Sequence, residues 1–209
     1  MSSGLIGKKV GMTNVFDDDG QNFAVTVIEV EPCVITQIKT EEEDGYNAVQ
    51  LSAFDRKEKS TPKPLQGHFE KAGTSPKKYI KEFRDFIPDD AELGDELNIE
   101  DVFSIGDNVD VVGVSKGTGF TGVVKRHNFS GVGEATHGQH DRQRHPGSIG
   151  QASDPARVFP GIKMAGRSGN KRTKEKNLTI ARIFSESNLM MVTGSIPGPN
   201  GRFVEIYNR

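Results

Sequence analysis

Residues 137–172 read HGQHDRQRHPGSIGQASDPARVFPGIKMAGRSGNKR, and neither a helical nor a strand period runs through them. These 36 residues hold six glycines, three histidines and seven Lys/Arg against two Asp. A loop of this length with no secondary structure of its own is uncommon in a compact domain and is usually functional. Any fold for this chain must therefore be built from the sequence on both sides of the stretch, which leaves the body and returns to it.

The flanks supply that body. FAVTVIEV (23–30) and CVITQIK (33–39) are short β-branched runs split by Glu31-Pro32, and YNAVQLSAF (46–54) follows the turn signal EEEDG. Three strands this early predict an antiparallel meander or barrel. DDDG at 17–20 reads as a turn between a Gly-rich N-terminal segment and the first strand. Residues 55–78 are polar and lysine-rich, with one or two helical turns expected inside PLQGHFEKAG (64–73). YIKEFRDF (79–86) fits a helix or a strand, and periodicity leaves both open. IPDDAELGDELNIEDVF (87–103) reads as an acidic turn leading into a short strand. NVDVVGVS (108–115) is strand-like, and the β pattern resumes at NLTIARIF (177–184), LMMVTG (189–194) and RFVEIY (202–207). The reading is a mainly β body, residues 1–115 with 177–209, interrupted by a basic segment, 116–176.

Charge follows the same division. Residues 1–115 hold 12 Lys/Arg and 23 Asp/Glu, residues 116–176 hold 12 and 4, and four of the five histidines (His127, His137, His140, His145) fall in the second block. A basic stripe on an acidic body is the electrostatic footprint of a polyanion site. The single cysteine, Cys33, excludes an internal disulfide framework and suits a reducing compartment. No apolar run approaches the length of a signal-peptide core or a membrane span, so a cytoplasmic location is expected.

Catalytic motifs fail on context. Gly117, Gly119 and Gly122 spell G-x-G-x-x-G after a predicted strand, but a dinucleotide site needs a helix to open there and seat the pyrophosphate on its N-terminus. FTGVVKRHNFSG is short, β-branched and followed by more glycine, and no βαβ repeat follows. A nucleotide-dependent enzyme using Gly117–Gly122 is the alternative reading, and a general nucleic-acid-binding module a third. GKKVGMT (7–13) lacks phosphate-loop spacing, which leaves Lys8 and Lys9 as phosphate contacts or plain surface lysines. His137, His140, Asp141 and His145 carry no H-E-x-x-H pattern and no nearby cysteine. Ser148 in PGSIGQ misses the nucleophile elbow because position 146 is proline. The reading assigns no metal, no cofactor and no catalytic residue, and the protein is not expected to be an enzyme.

Nucleic acid is the remaining ligand. Arginine forks match phosphate bidentately, and each cation that meets a phosphate releases counterions. Rings are read as sparse in the basic segment (Phe129, Phe159), which argues against a stacking platform for single strands and for folded RNA read by shape and phosphate. Arg142, Arg144, Arg157, Lys163, Arg167, Lys171 and Arg172 are the expected phosphate and sugar contacts. Lys116, Lys125, Arg126 and His127 are expected to anchor the base of the segment. His137, His145, Ser148 and Gln151, with Lys8 and Lys9, complete the candidate set. Gly147, Gly150, Gly161, Gly166 and Gly169 would permit turns and close backbone approach.

GLIGKKVGMT at 4–13, VTVIEVEPCVITQIKT at 25–40, GYNAVQL at 45–51, GHFEKAG at 67–73, SKGTGFTGVVKRHNF at 115–129, HPGSIGQ at 145–151, RVFPGIKMAGRSGNKR at 157–172 and IPGPNG at 196–201 together resemble the bacterial-type large-subunit ribosomal protein "L three" family. The resemblance implies a translation-protein-type β-barrel body with a long, largely irregular basic extension, 116–176. It implies that this extension binds large-subunit ribosomal RNA, reaches toward the peptidyl transferase centre with its tip around 145–152, and assists early subunit assembly. Neighbouring large-subunit proteins are implied partners. Some members are methylated on the side-chain amide at the position of Gln151, which implies a glutamine methyltransferase as a partner. Two departures stand out. The pI of about 6.2 is low for the family, and FPGIKMAG places Pro160 and Ile162 where lysines are common. An acid-enriched barrel surface fits a salty cytoplasm, where screening shortens electrostatic reach and acidic residues favour solubility.

Overall fold

The computed structural model describes residues 3–16, 20–84, 86, 91–133, 137–138 and 140–209. In chain order the elements are β1 Gly4–Phe16, β2 Asn22–Glu29, β3 Cys33–Lys39, α1 Glu41–Asp44, β4 Ala48–Asp55, α2 Lys63–Lys71, β5 Lys77–Arg84, β6 Glu96–Leu97, α3 Ile99–Val102, β7 Asn108–Val114, β8 Gly119–Thr121, α4 Val123–His127, β9 Gly166–Ser168, β10 Arg172–Phe184, β11 Leu189–Thr193 and β12 Phe203–Asn208. The chain is mainly β. It divides into two compact units, residues 1–115 with 172–209, and residues 116–171.

The first unit contains a closed barrel of strand order β1-β12-β7-β10-β11-β2, with every neighbouring pair antiparallel. Closure leaves no unpaired strand edge. A second sheet of order β5-β4-β3-β6 shares its core: Leu5, Ile28, Val111, Ile180, Met190 and Ile206 from the barrel cluster with Ile35, Leu51 and Phe83 from the sheet, all fully or almost fully buried. The early strands therefore do not form one meander. β2 joins the barrel, while β3 and β4 cross into the second sheet. Within YIKEFRDF, residues 79–84 resolve as strand because β5 pairs along the length of β4, from Ala48 opposite Arg84 to Asp55 opposite Lys77.

The N-terminal segment, expected only as Gly-rich, is one of the two longest strands. Its glycines are packing residues. A Cβ on Gly4 would sit 2.5 Å from the Ile206 carbonyl oxygen and 2.6 Å from the Phe83 ring, and one on Gly7 would sit 2.5 Å from Ile28 Cγ2. Glycine inside a strand marks such close approaches. The acidic EEED run forms the turn-length helix α1, closed by Gly45 in the left-handed region (φ 78°). The turn expected at DDDG lies outside the described residues except for Gly20, and 87–90 of the acidic turn also lie outside them. Beyond that turn the expected short strand is β6, but the sequence signal missed α3, which a reciprocal Asn98–Asp101 capping box starts.

Buried charge in this unit is paired. Glu205 on β12, 4% exposed, accepts hydrogen bonds from Arg172 Nη2 at 2.7 Å, Tyr207 OH at 3.0 Å and Tyr79 OH at 3.3 Å, and ion-pairs with Lys81 Nζ at 3.1 Å. It thereby links β10 and β12 of the barrel to β5 of the second sheet. Burial pushes the Glu205 carboxyl up, but the hydrogen bonds from Arg172, Lys81 and Tyr207 outweigh it and leave it below the usual range. Burial also pushes the Cys33 thiol up to about 12, which makes it inert. Among the described residues no helix is long and apolar enough to cross a membrane.

Candidate nucleic-acid interface

The unit of residues 116–171 starts and ends in one small frame. β8 pairs antiparallel with β9, from Gly119 opposite Ser168 to Thr121 opposite Gly166. The amides of Thr118 and Asn170 donate to Ser168 O and Lys116 O. Gly169, at φ 70°, fits this neck because a Cβ there would lie 2.0 Å from Lys116 O. After β8, Gly122 opens the five-residue helix α4, which Asn128 ends in the left-handed region at φ 58°. No good helix was expected here, yet one short turn forms with Val123 buried on its inner face. The strand that follows returns antiparallel, so G-x-G-x-x-G sits in a β-ribbon rather than in a βαβ unit.

α4 holds the returning chain. Arg126 Nη1 donates to Met164 O at 2.7 Å, and His127 Nε2 lies 3.0 Å from the same oxygen. The Arg126 guanidinium occupies the space where a Gly166 side chain would stand, 2.5 Å from an added Cβ. Arg126 and His127 thus act inside the unit as clamps, while Lys116 and Lys125 face solvent. A second closure joins Val132 N to Gln143 O at 3.0 Å.

Between these closures the described residues form no interior. Every described residue of 137–165 is exposed except Pro155, which is partly covered. His137, Arg142, Arg144, His145, Ser148, Gln151, Arg157 and Lys163 all stand in water, as do Arg167 and Lys171 in the returning arm. Ser148 Oγ turns back on its own loop, donating to Gly150 O at 2.9 Å. Gln151 lines an open depression of about 340 Å³ with Ile149, Gly150, Ala152, Ala156, Arg157 and Val158. The Arg157 guanidinium lies 5.2 Å from the centre of the Phe159 ring. Apolar side chains are exposed with the cations: Ile149, Val158, Phe159, Ile162 and Met164, and Phe120 at 80%. Phe120 was overlooked in the sequence because it stands in the glycine run before the stretch. No group of His, Cys, Asp and Glu suited to a metal occurs among the described residues.

Three candidates belong elsewhere. Lys9 is buried in the barrel unit, its ammonium donating to Ile196 O at 2.9 Å and Gly198 O at 3.1 Å. Lys8, its neighbour on β1, ion-pairs with Glu29 at 2.8 Å, which raises its pKa. Arg172 is the first residue of β10 and is bound to Glu205, so residues 172–176, expected in the extension, continue a barrel strand. β1 is buried on both faces from Gly4 to Gly7, and Lys9 is buried after them, which composition could not reveal.

Comparison with known proteins decides the family. The family model described as ribosomal protein L3 matches residues 80–188. The large ribosomal subunit protein uL3 of Salinibacter ruber is 57% identical over 209 residues, covering all of this chain and all of that protein. The chain belongs to the ribosomal protein L3 family. In this L3-family chain the matched residues run from β5 through the whole of the 116–171 unit to the turn after β10.

Proposed function

We propose that this L3-family protein is a structural constituent of the large ribosomal subunit whose 116–171 unit binds large-subunit ribosomal RNA. One observation carries the reading: the described residues of 137–165 have no core of their own and expose their cations and apolar side chains together. Such a surface gains partners from a folded polyanion, with arginine meeting phosphate and the apolar groups meeting sugar and base faces. The contacts proposed are Arg142, Arg144, Arg157, Lys163, Arg167 and Lys171, with Lys116, Lys125, His137, His145, Ser148 and Gln151 around them. Lys9 and Arg172 are left out of this set, because Lys9 is buried and Arg172 ion-pairs with Glu205. The family resemblance adds that the tip around 145–152 reaches toward the peptidyl transferase centre, that the protein joins early in assembly beside neighbouring ribosomal proteins, and that it works in the cytoplasm without catalysing a reaction. Gln151 is exposed and open to a glutamine methyltransferase.

Co-sedimentation tests the reading. The protein is expected to remain with large subunits through a high-salt wash. Its release there, or saturable micromolar binding of a dinucleotide, would favour the other readings. Mass spectrometry of the peptide containing Gln151 reports whether a methyl group is present.

A further inference from the structure

Residues 1–115 of the barrel unit are acidic overall but hold one basic stretch. Seven of the 12 Lys/Arg of residues 1–115 fall within 56–78, beside only two of the 23 Asp/Glu. Elsewhere in that unit Lys8, Lys39, Lys81, Arg84, Arg172 and Lys174 each have an acidic partner within 3.5 Å. Lys77 inside the basic stretch is paired with Asp55. Lys57, Lys59, Lys63 and Lys71 are exposed, and among the described residues none of them meets a carboxylate.

Two of these lysines share a helix face with a glycine. Lys63, Gly67 and Lys71 of α2 are spaced i, i+4, i+8 and form one stripe, opposite the buried Phe69. Their outer members stand about 12 Å apart along the axis. Gly67 has no reason in the folded chain. The other glycines of the barrel unit have a positive φ, or sit where a Cβ would collide, as at Gly4 and Gly7, or be tightly crowded, as at Gly113, or adjoin the β1 bulge, as at Gly11. A Cβ on Gly67 would meet nothing within 4 Å. A mid-helix glycine weakens a helix relative to alanine, so its presence in open space between two lysines points outward, to something that approaches the bare helix backbone.

We propose that the Lys63–Gly67–Lys71 stripe of α2, with Lys57 and Lys59 just before it, is a second RNA-binding surface that seats a sugar–phosphate strand against the helix. The lysines supply point charges for phosphates, and the missing side chain lets the strand lie close. The surface rests on the reading of the chain as a ribosomal RNA-binding protein, but no residue of it belongs to the 116–171 unit.

The test uses the full chain and protein-free, in vitro transcribed large-subunit ribosomal RNA, titrated over a range of KCl with excess random duplex as competitor. Lys63→Gln/Lys71→Gln is expected to flatten the plot of log affinity against log salt by about 1.5. Gly67→Gln is expected to raise Tm by about 2 °C and yet weaken RNA binding about five-fold or more. A wild-type slope for the lysine pair, or wild-type affinity for Gly67→Gln, overturns the proposal. Arg142→Ala/Arg144→Ala in the same assay separates the two readings. If that pair weakens binding while the α2 variants do not, the second surface fails alone; if none of the three has an effect, the reading of the chain as an RNA binder fails with it.

Discussion

In the unit of residues 1–115 and 172–209, seven of the 18 Lys/Arg pair with carboxylates among the described residues and Lys9 is buried, and the apolar side chains close a barrel. In residues 116–171 nine Lys/Arg accompany three Asp/Glu, and Arg142, Arg144, Arg157, Lys163 and Arg167 meet no carboxylate among the described residues. The same residue types thus do different work. Where a cation has an internal partner, its removal is felt as lost stability. Where its partner lies outside the chain, its removal is felt as lost affinity.

That contrast sets the order of expected effects. Phe83→Ala empties the junction between barrel and second sheet and should cost about 3–5 kcal/mol in urea unfolding. Arg142→Ala/Arg144→Ala should flatten the salt dependence of RNA binding by about 1.5–2 in slope, and should leave stability within about 0.5 kcal/mol of wild type. A loss of stability from the arginine pair approaching that of Phe83→Ala would break the comparison.

Glu205→Gln sharpens it from the other side. It should cost about 1–2 kcal/mol at neutral pH, at the low end because Arg172 and Lys81 reach water. The Glu205 carboxyl is held below its ordinary value in the folded chain. Its contribution is therefore fully present above the unfolded pKa of about 4.3 and is lost as pH falls through the lower folded value. Wild type should lose stability on acidification below that point more steeply than Glu205→Gln, and parallel curves would remove Glu205 from its assigned role. The smallest effect is expected from Gln151→Ala, within about 0.5 kcal/mol of wild type in unfolding; a larger loss would mean that the tip is part of the fold. The acidic barrel surface makes one further demand, a source with high intracellular salt, and an ordinary low-salt cytoplasm would leave the acidity unexplained.

Much of the fold was legible because β-branched runs carry their own signal. Strands β2, β3, β4, β7, β11 and β12 lie close to where their runs of Val, Ile and Thr predict them. β1 was illegible because Gly4 and Gly7 look like turn residues until Ile206, Phe83 and Ile28 are seen pressing on them. β5 was ambiguous because its type is decided by its partner β4. In the candidate interface the cations of 137–165 could be named from sequence, since a stretch with no period has no inside in which to hide them. Lys9 could not be placed that way, because it follows a stretch of β1, Gly4 to Gly7, that is buried on both faces.

From the sequence alone came the mainly β class, the family, and the presence of a long cationic segment with no core. Each of these rests on local composition and order along the chain, which need no partner to be read. Only the tertiary structure decided which sheet each early strand joins, that Lys9 and Arg172 serve the barrel unit, and that Gly67 stands bare between two lysines. Those outcomes depend on which groups distant in sequence come within a few ångströms, and a single chain of letters does not hold that distance.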